Sequence, residues 1–195
     1  MMTLTSAINK RRSIRNYQDK KIPRNLIKEL LGLANLAPTA AGLENRNFVI
    51  IDDEKIKQKL FQSGCGQSHI TAAAAVIAVV TNIEKFFTKK ELEKKITGEW
   101  EMVMPKQFAL NYQIWKRLYP IQDADTAGTT LMLAATESGL GSCWVGAFDY
   151  PAVEKILQLP KNWKVTCLIT LGYSKDKPYP QKRTKIEKLI HWNRW

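Results

Sequence analysis

Four cations and one hydroxyl fall within six residues, Lys10-Arg11-Arg12-Ser13-Ile14-Arg15. A guanidinium is a planar fork of donors, always charged, that matches phosphate oxygens two at a time. Ser13, set between such forks, can add one more hydrogen bond. Taken alone, a basic run of this kind reads as a solvated face. A second basic cluster, Lys182-Arg183 with Lys185, stands at the far end of the chain. The two together suggest an anion clamp closed from both ends.

The side chains suited to acid–base or covalent work are few. Only two histidines occur, His69 and His191, so a Ser-His-Asp triad or a histidine metal site would have to be built from them. Cys65 and His69 sit four residues apart, but a zinc site needs further soft ligands and none is paired nearby. No metal is expected. Cys143 follows a glycine turn without an adjacent base, which favours a buried or ligand-facing thiol over a nucleophile. Gly64-Cys65-Gly66 and Gly139-Leu140-Gly141 each supply G-x-G without the later glycine, outside the strand–turn–helix context of a dinucleotide fold. No catalytic side chain is therefore assigned. This balance suits a protein whose bound cofactor does the chemistry while the chain supplies position and electrostatics.

The formal charge of +12 is confined to the ends. Residues 1–30 carry eight Lys/Arg against two Asp/Glu and residues 161–195 carry nine against two, whereas 31–160 is close to neutral. An anionic ligand held where the termini meet explains part of that excess; nucleic acid or an acidic surface is the competing explanation. Against nucleic acid, the aromatic residues do not interleave with the basic clusters as a stacking platform would. Three cysteines without a close pair argue against a disulfide framework and for a reducing, cytoplasmic setting. The N-terminus lacks a signal-peptide core, and the longest apolar run, Ala72 to Val80, is too short to span a bilayer. A soluble protein with no membrane partner is expected.

The elements that must position these residues read as one domain over 1–195. Thr3 or Thr5 can cap a short first helix ending near Lys10. Pro23 is placed for the first turn of a second helix, with Leu26, Ile27, Leu30, Leu31, Leu33 and Ala34 as its stripe and Pro38 as its stop. Phe48–Ile51, Val76–Val80 and Val165–Leu171 read as buried strands, with Asp53 and Asp149 as helix caps after the first strand and before Pro151. Glu84 to Tyr119 looks helical and charged, carrying Trp100, Phe108, Tyr112, Trp115 and Tyr119, most of which should pack on the core, with Tyr112 and Phe108 as candidates to line a substrate pocket instead. Asp123 to Ser138 reads as a separate small-residue helix that lets neighbours come close, ended by left-handed positions in Gly139-Leu140-Gly141. A proline-containing arm over 174–195 closes the chain with an amphipathic stretch of Ile186, Leu189, Ile190 and Trp192. Few strands among many helices give an α+β class, without repeated βαβ units.

Several of these pieces, in order, resemble the nitroreductase family of FMN-dependent oxidoreductases. They are Arg11-Arg12-Ser13-Ile14-Arg15-Asn16-Tyr17, Ala37-Pro38-Thr39-Ala40, Asp123-Ala124 with Leu133-Ala134-Ala135, Gly139-Leu140-Gly141-Ser142-Cys143-Trp144-Val145-Gly146, Leu171-Gly172-Tyr173, and Arg183 with Ile186 to His191. Each is weak alone; their order over nearly the whole chain is specific, except in 84–120, where family members vary. The resemblance implies a three-layer fold with a central mixed sheet flanked by helices, in an intertwined homodimer holding two FMN sites. It implies that Arg11, Arg12, Ser13 and Arg15 hold the flavin phosphate and polar ring edge, with Arg183 returning to the phosphate. Trp144, Val145 and Gly146 would line the ring through their backbone, and Pro38, Thr39 and Ala40 would come from the other subunit. The implied reaction is ping-pong, with NADH or NADPH as donor and a small-molecule acceptor such as a nitroaromatic or quinone.

The sequence also departs from that pattern. Where the family often has Asn and then Gln-Pro-Trp, this chain reads Gly42, Glu44, Asn45 and Arg46. These departures motivate an alternative of a flavin-binding protein with little turnover, for storage or sensing.

Overall fold

The computed structural model describes residues 2–86, 88, 107–177 and 179–195. Trp100 and the Phe108 side chain lie outside the described residues. The helices are α1 (Leu4–Lys10), α2 (Arg24–Asn35), α3 (Glu54–Leu60), α4 (His69–Ala72), α5 (Gln107–Glu137) and α6 (Tyr150–Ile156). The strands are β1 (Arg46–Ile51), β2 (Ala75–Asn82), β3 (Gly141–Val145) and β4 (Trp163–Gly172). Thr3, Asp53 and Asp149 each accept a backbone N–H at a helix start, as their residue types predict. Pro23 stands just before α2 rather than in its first turn, and the helix ends at Asn35, ahead of Pro38.

The sheet runs β1-β2-β4-β3, and every neighbouring pair is antiparallel. This corrects the mixed sheet that the resemblance implies: among the described residues the parallel pairing is an isolated bridge between Ser13 and Ser142. Alternation along the strands divides the interior in two. Ile77 and Val79 of β2 join Cys167, Ile169 and Leu171 of β4 in a core shared with α2 and α5. Val76, Ala78 and Val80 join Val165 and Leu168 in a second core with Leu60, Ile70 and Val153. Period-two side-chain direction makes one strand serve both.

The two helices expected on either side of Pro120 are one. α5 continues through it, with Pro120 buried. A proline removes one helical hydrogen bond and crowds the preceding turn. Here Asp123, Ala124 and Ala127, buried within the next two turns, hold the helix to the core despite that local cost. The helix ends in a Schellman motif: Leu140 N–H reaches Ala135 O at 2.8 Å and Gly139 N–H reaches Thr136 O at 3.1 Å. Gly139 supplies the left-handed residue, with φ of 79°. Gly141 does not; its role is space, because a Cβ there would lie 2.9 Å from Ile14.

Candidate functional site

That close approach is what places the basic run. Ile14 and Tyr17 are buried in the second core, so the residues between and beside them are fixed against the edge of β3. Ile14 N–H donates to Ser142 O at 2.9 Å. Tyr17 Oη bonds Ile14 O at 2.6 Å and Thr170 Oγ1 at 2.7 Å, which ties the run back to itself and to β4. Burial holds the Tyr17 phenol far above its ordinary range, so it stays neutral. With Ile14 and Tyr17 pointing in, Arg15 is left exposed. Arg11 and Arg15 form no salt bridge with any described residue.

Arg12 is used differently. Its Nε donates to Tyr179 O at 2.8 Å, and Nη1 donates to Asn9 O and Arg11 O, both at 2.7 Å. It therefore fastens the start of the C-terminal arm to the end of α1. Further stitches follow from Gln18 N–H to Tyr173 O at 2.8 Å and Lys175 N–H to Asn16 O at 3.0 Å. Beyond them, residues 181–195 are all exposed. The amphipathic stretch expected there is a single 3₁₀ turn, Ile186–Lys188. Arg183 bonds Gln181 Oε1 at 3.2 Å, and among the described residues no hydrogen bond or ion pair joins it to Arg11–Arg15.

β3 carries Trp144, Val145 and Gly146 past the same run. The Trp144 ring lies over Gly128 of α5, where a Cβ would come within 2.7 Å of it. Val145 is buried and paired in the sheet with Leu168, while Gly146 is exposed at the strand end. Cys143 is buried, and burial pushes its thiol up despite the opposing charge of Arg15. It remains protonated at neutral pH and is a poor nucleophile. Ser142 Oγ is buried beside the bridge without a hydrogen-bond partner.

The Pro38–Ala40 segment is held by a residue whose role the sequence does not disclose. Arg46 begins β1 as though it were an edge charge, yet it is buried. Its guanidinium donates to the carbonyls of Asn35 and Ala37 at 2.7 Å, Asp123 at 3.0 Å and Pro38 at 3.1 Å. Asp123 completes the fixture by accepting from Ala40 N–H at 3.0 Å, and its carboxyl is raised by burial. Thr39 precedes the 3₁₀ turn Ala40–Gly42. Within one chain no described hydrogen bond joins this segment to Arg11–Arg15. The Glu44 carbonyl accepts from Lys85 Nζ and its side chain is exposed.

Gln67 is missed by the sequence reading, and His69 is weighed there only as a possible zinc partner of Cys65. Gln67 Nε2 donates to Ala147 O at 3.0 Å, and Asp149 N–H donates to Gly64 O at 2.8 Å, docking the 64–69 loop on the segment after β3. Nothing in their local pattern signals this, because the contact is between residues some eighty positions apart.

The family model for the nitroreductase family matches residues 8–173, and the chain belongs to that family. A Thermus thermophilus protein named NADH dehydrogenase is 28% identical over 193 residues, covering 96% of this chain and 94% of that one. Among solved structures, an FMN-dependent nitroreductase from Clostridium difficile R20291 superposes with a TM-score of 0.72 at 24% identity, over 97% of this chain and 98% of its own. An NADPH:FMN oxidoreductase from Vibrio harveyi complexed with NAD+ gives 0.78 at 19% identity, over 98% of this chain and 77% of its own. At these identities the structural likeness is one of fold. Among the described residues no helix is long and apolar enough to cross a membrane.

Proposed function

We propose that this protein is an FMN-dependent NAD(P)H oxidoreductase acting as a homodimer. The observation that carries the reading is the bridge from Ser13 to Ser142, which fixes the Arg11–Arg15 run against β3. The donor set fits the group: Arg11 and Arg15 form no ion pair with any described residue, Arg15 bonding only the neutral thiol of Cys143 among the contacts described, and the Ser142 hydroxyl in the bridge has no partner. Arg11, with Ser13, would bind the phosphate, and Arg15 the anionic edge of the ring, as fixed positive charge does for any developing anion. Arg12 would support them by fixing the arm. Trp144, packed on α5, leaves its backbone with that of Val145 and Gly146 for the ring, and Gly146 keeps that approach open.

FMN, when bound, supplies ping-pong two-electron chemistry: hydride acceptance from NADH or NADPH, then reduction of an acceptor such as a nitroaromatic or quinone. The chain's part is to bind, orient and stabilise charge.

The second subunit is supported by what one chain leaves uncovered. Leu4 and Ile8 of α1, Ile114, Leu118 and Ile121 of α5, and the arm's Leu189, Trp192 and Trp195 are each exposed. Apolar surface on this scale marks an interaction site. We read it as the dimer face, with the arm crossing to the partner so that Arg183 reaches the partner's phosphate and Pro38–Ala40 serves the partner's ring. The two cores around one sheet then form the three layers. Free Cys65, Cys143 and Cys167 support a reducing, cytoplasmic setting.

The test is direct. The purified protein should show a flavin spectrum after FMN is added, and stopped-flow mixing with NADH or NADPH should bleach it. A protein that binds no FMN, or FMN that neither donor reduces, would overturn the assignment.

A further inference from the structure

His69 opens α4 with only 5% of its surface exposed, and its Nε2 makes no hydrogen bond. A buried nitrogen without a partner is costly, so its presence asks for a reason. The elements around it are those that build the candidate site. Its neighbour Ile70 packs in the same core as Ile14 and Val145, which adjoin Arg15 and Gly146. The loop that precedes it is bonded to the segment after β3 through Gln67 and Gly64. Arg15 lies close enough for its charge to act on His69, Cys143 and Tyr17 alike.

The other titratable groups of these elements leave His69 as the one that can change charge near neutral pH. Burial keeps Cys143 and Tyr17 neutral, and it pushes Cys65 up to about 11. Lys57 of α3 is engaged by Glu54 at 2.7 Å and by the carbonyls of Ala73 and Thr71. Burial first, then the Arg15 charge, hold His69 below its ordinary range. Its resting imidazole is therefore neutral, with one ring nitrogen able to accept a proton.

We infer that His69 is a redox-linked proton acceptor, taking one proton from solvent when the Arg15 side of the site gains negative charge and surrendering it when that charge leaves. The inference rests on the flavin reading above. A hydride carries two electrons and one proton, so its transfer from NADH leaves a nicotinamide cation and adds one negative charge to the bound flavin. Protonation of His69 offsets that charge, and the histidine is neither oxidised nor reduced. Reduction of a quinone to its hydroquinone then consumes one hydride and one proton. The proton on His69 is the second of these.

The experiment is an anaerobic single turnover of FMN-loaded protein with one equivalent of NADH, in weak buffer with a pH dye. Flavin bleaching and proton uptake are followed together. Wild type should take up more protons per bleached flavin than H69Q, by close to one near neutral pH. The difference should vanish in acid, where His69 is protonated before reduction. Equal uptake by both proteins with full bleaching would overturn the inference. Should H69Q fail to retain FMN, the wild-type profile decides, because uptake by His69 rises from acid towards neutral pH. Uptake by the flavin itself only falls with pH, and a profile that only falls is contrary. Absence of bleaching in wild type would remove the oxidoreductase reading, and this inference with it.

Discussion

The two basic regions of this chain carry nearly equal excess charge and have opposite structural standing. Arg11–Arg15 is pinned at Ile14 and Tyr17, both buried, and bonded to β3 and β4. The segment with Lys182, Arg183 and Lys185 is exposed throughout and, among the described residues, the arm is held near its root, by the bonds of Arg12, Asn16 and Gln18 to residues 173–179. Charge count therefore does not distinguish a prepared site from a tethered one; the apolar residues interleaved with the charges do. The first region is preorganised within a subunit. The second has no buried residue to fix it.

Five experiments test that contrast. The largest effect is expected from Gly141→Val, which drives a branched side chain into Ile14, 2.9 Å from where even a Cβ would sit. Overpacking of this kind costs about 1–3 kcal/mol. It should separate the run from β3, lowering the denaturation midpoint and abolishing FMN retention. A fully stable variant that still binds FMN would show that the bridge does not organise the site.

Next, Arg11→Ala and Arg183→Ala should each weaken FMN retention about tenfold or more, the size expected for losing a charge-assisted phosphate contact. Lys20→Ala and Lys177→Ala should change it little. Equal losses across all four, read by equilibrium dialysis, would mean diffuse charge and no clamp. Tyr17→Phe leaves Ile14 O and Thr170 Oγ1 short of a partner and should cost about 1–2 kcal/mol in denaturant unfolding. An unchanged midpoint would show that burial of the ring alone holds the run.

Removing residues 181–195 should change the cooperativity and midpoint of subunit unfolding little, since none of those residues is buried. It should instead shift the species seen in sedimentation from dimer to monomer; a large loss of intrinsic subunit stability would contradict the tethered-arm picture. The smallest effect is a pH dependence. A histidine whose folded pKa is depressed binds fewer protons folded than unfolded, so stability should rise with pH from the depressed value up to the ordinary 6.5. In H69Q that slope should flatten, as read from denaturation midpoints of the apoprotein between about pH 5 and 8. An unchanged slope would mean that other groups set it.

Much of this is legible before folding is considered. Asp53 and Asp149 cap helices because a short carboxylate side chain reaches the N–H of the first turn. The apolar runs 76–80 and 165–171 form central strands buried on both sides, whereas 48–51, expected to be buried as well, lies in the edge strand β1, with Ile51 buried and Ile50 exposed. The order of motifs identifies the family. These are local or linear properties, and each survives without knowledge of any distant contact.

Long-range packing decided the rest. Pro120 reads locally as a break and is carried through α5, because tertiary contacts outweigh a single lost hydrogen bond. Arg46 reads as a strand-edge charge and is a buried clamp, because four carbonyls from 35–38 and 123 converge only when α2, β1 and α5 meet. His69 and Arg15 are separated along the chain and share one environment because the 64–69 loop docks beyond β3. Residue types determined what chemistry was available, through charge, donor geometry and pKa range. Only the tertiary structure decided which of those groups are free to use it, because burial and the neighbours that satisfy each donor depend on contacts across the whole fold.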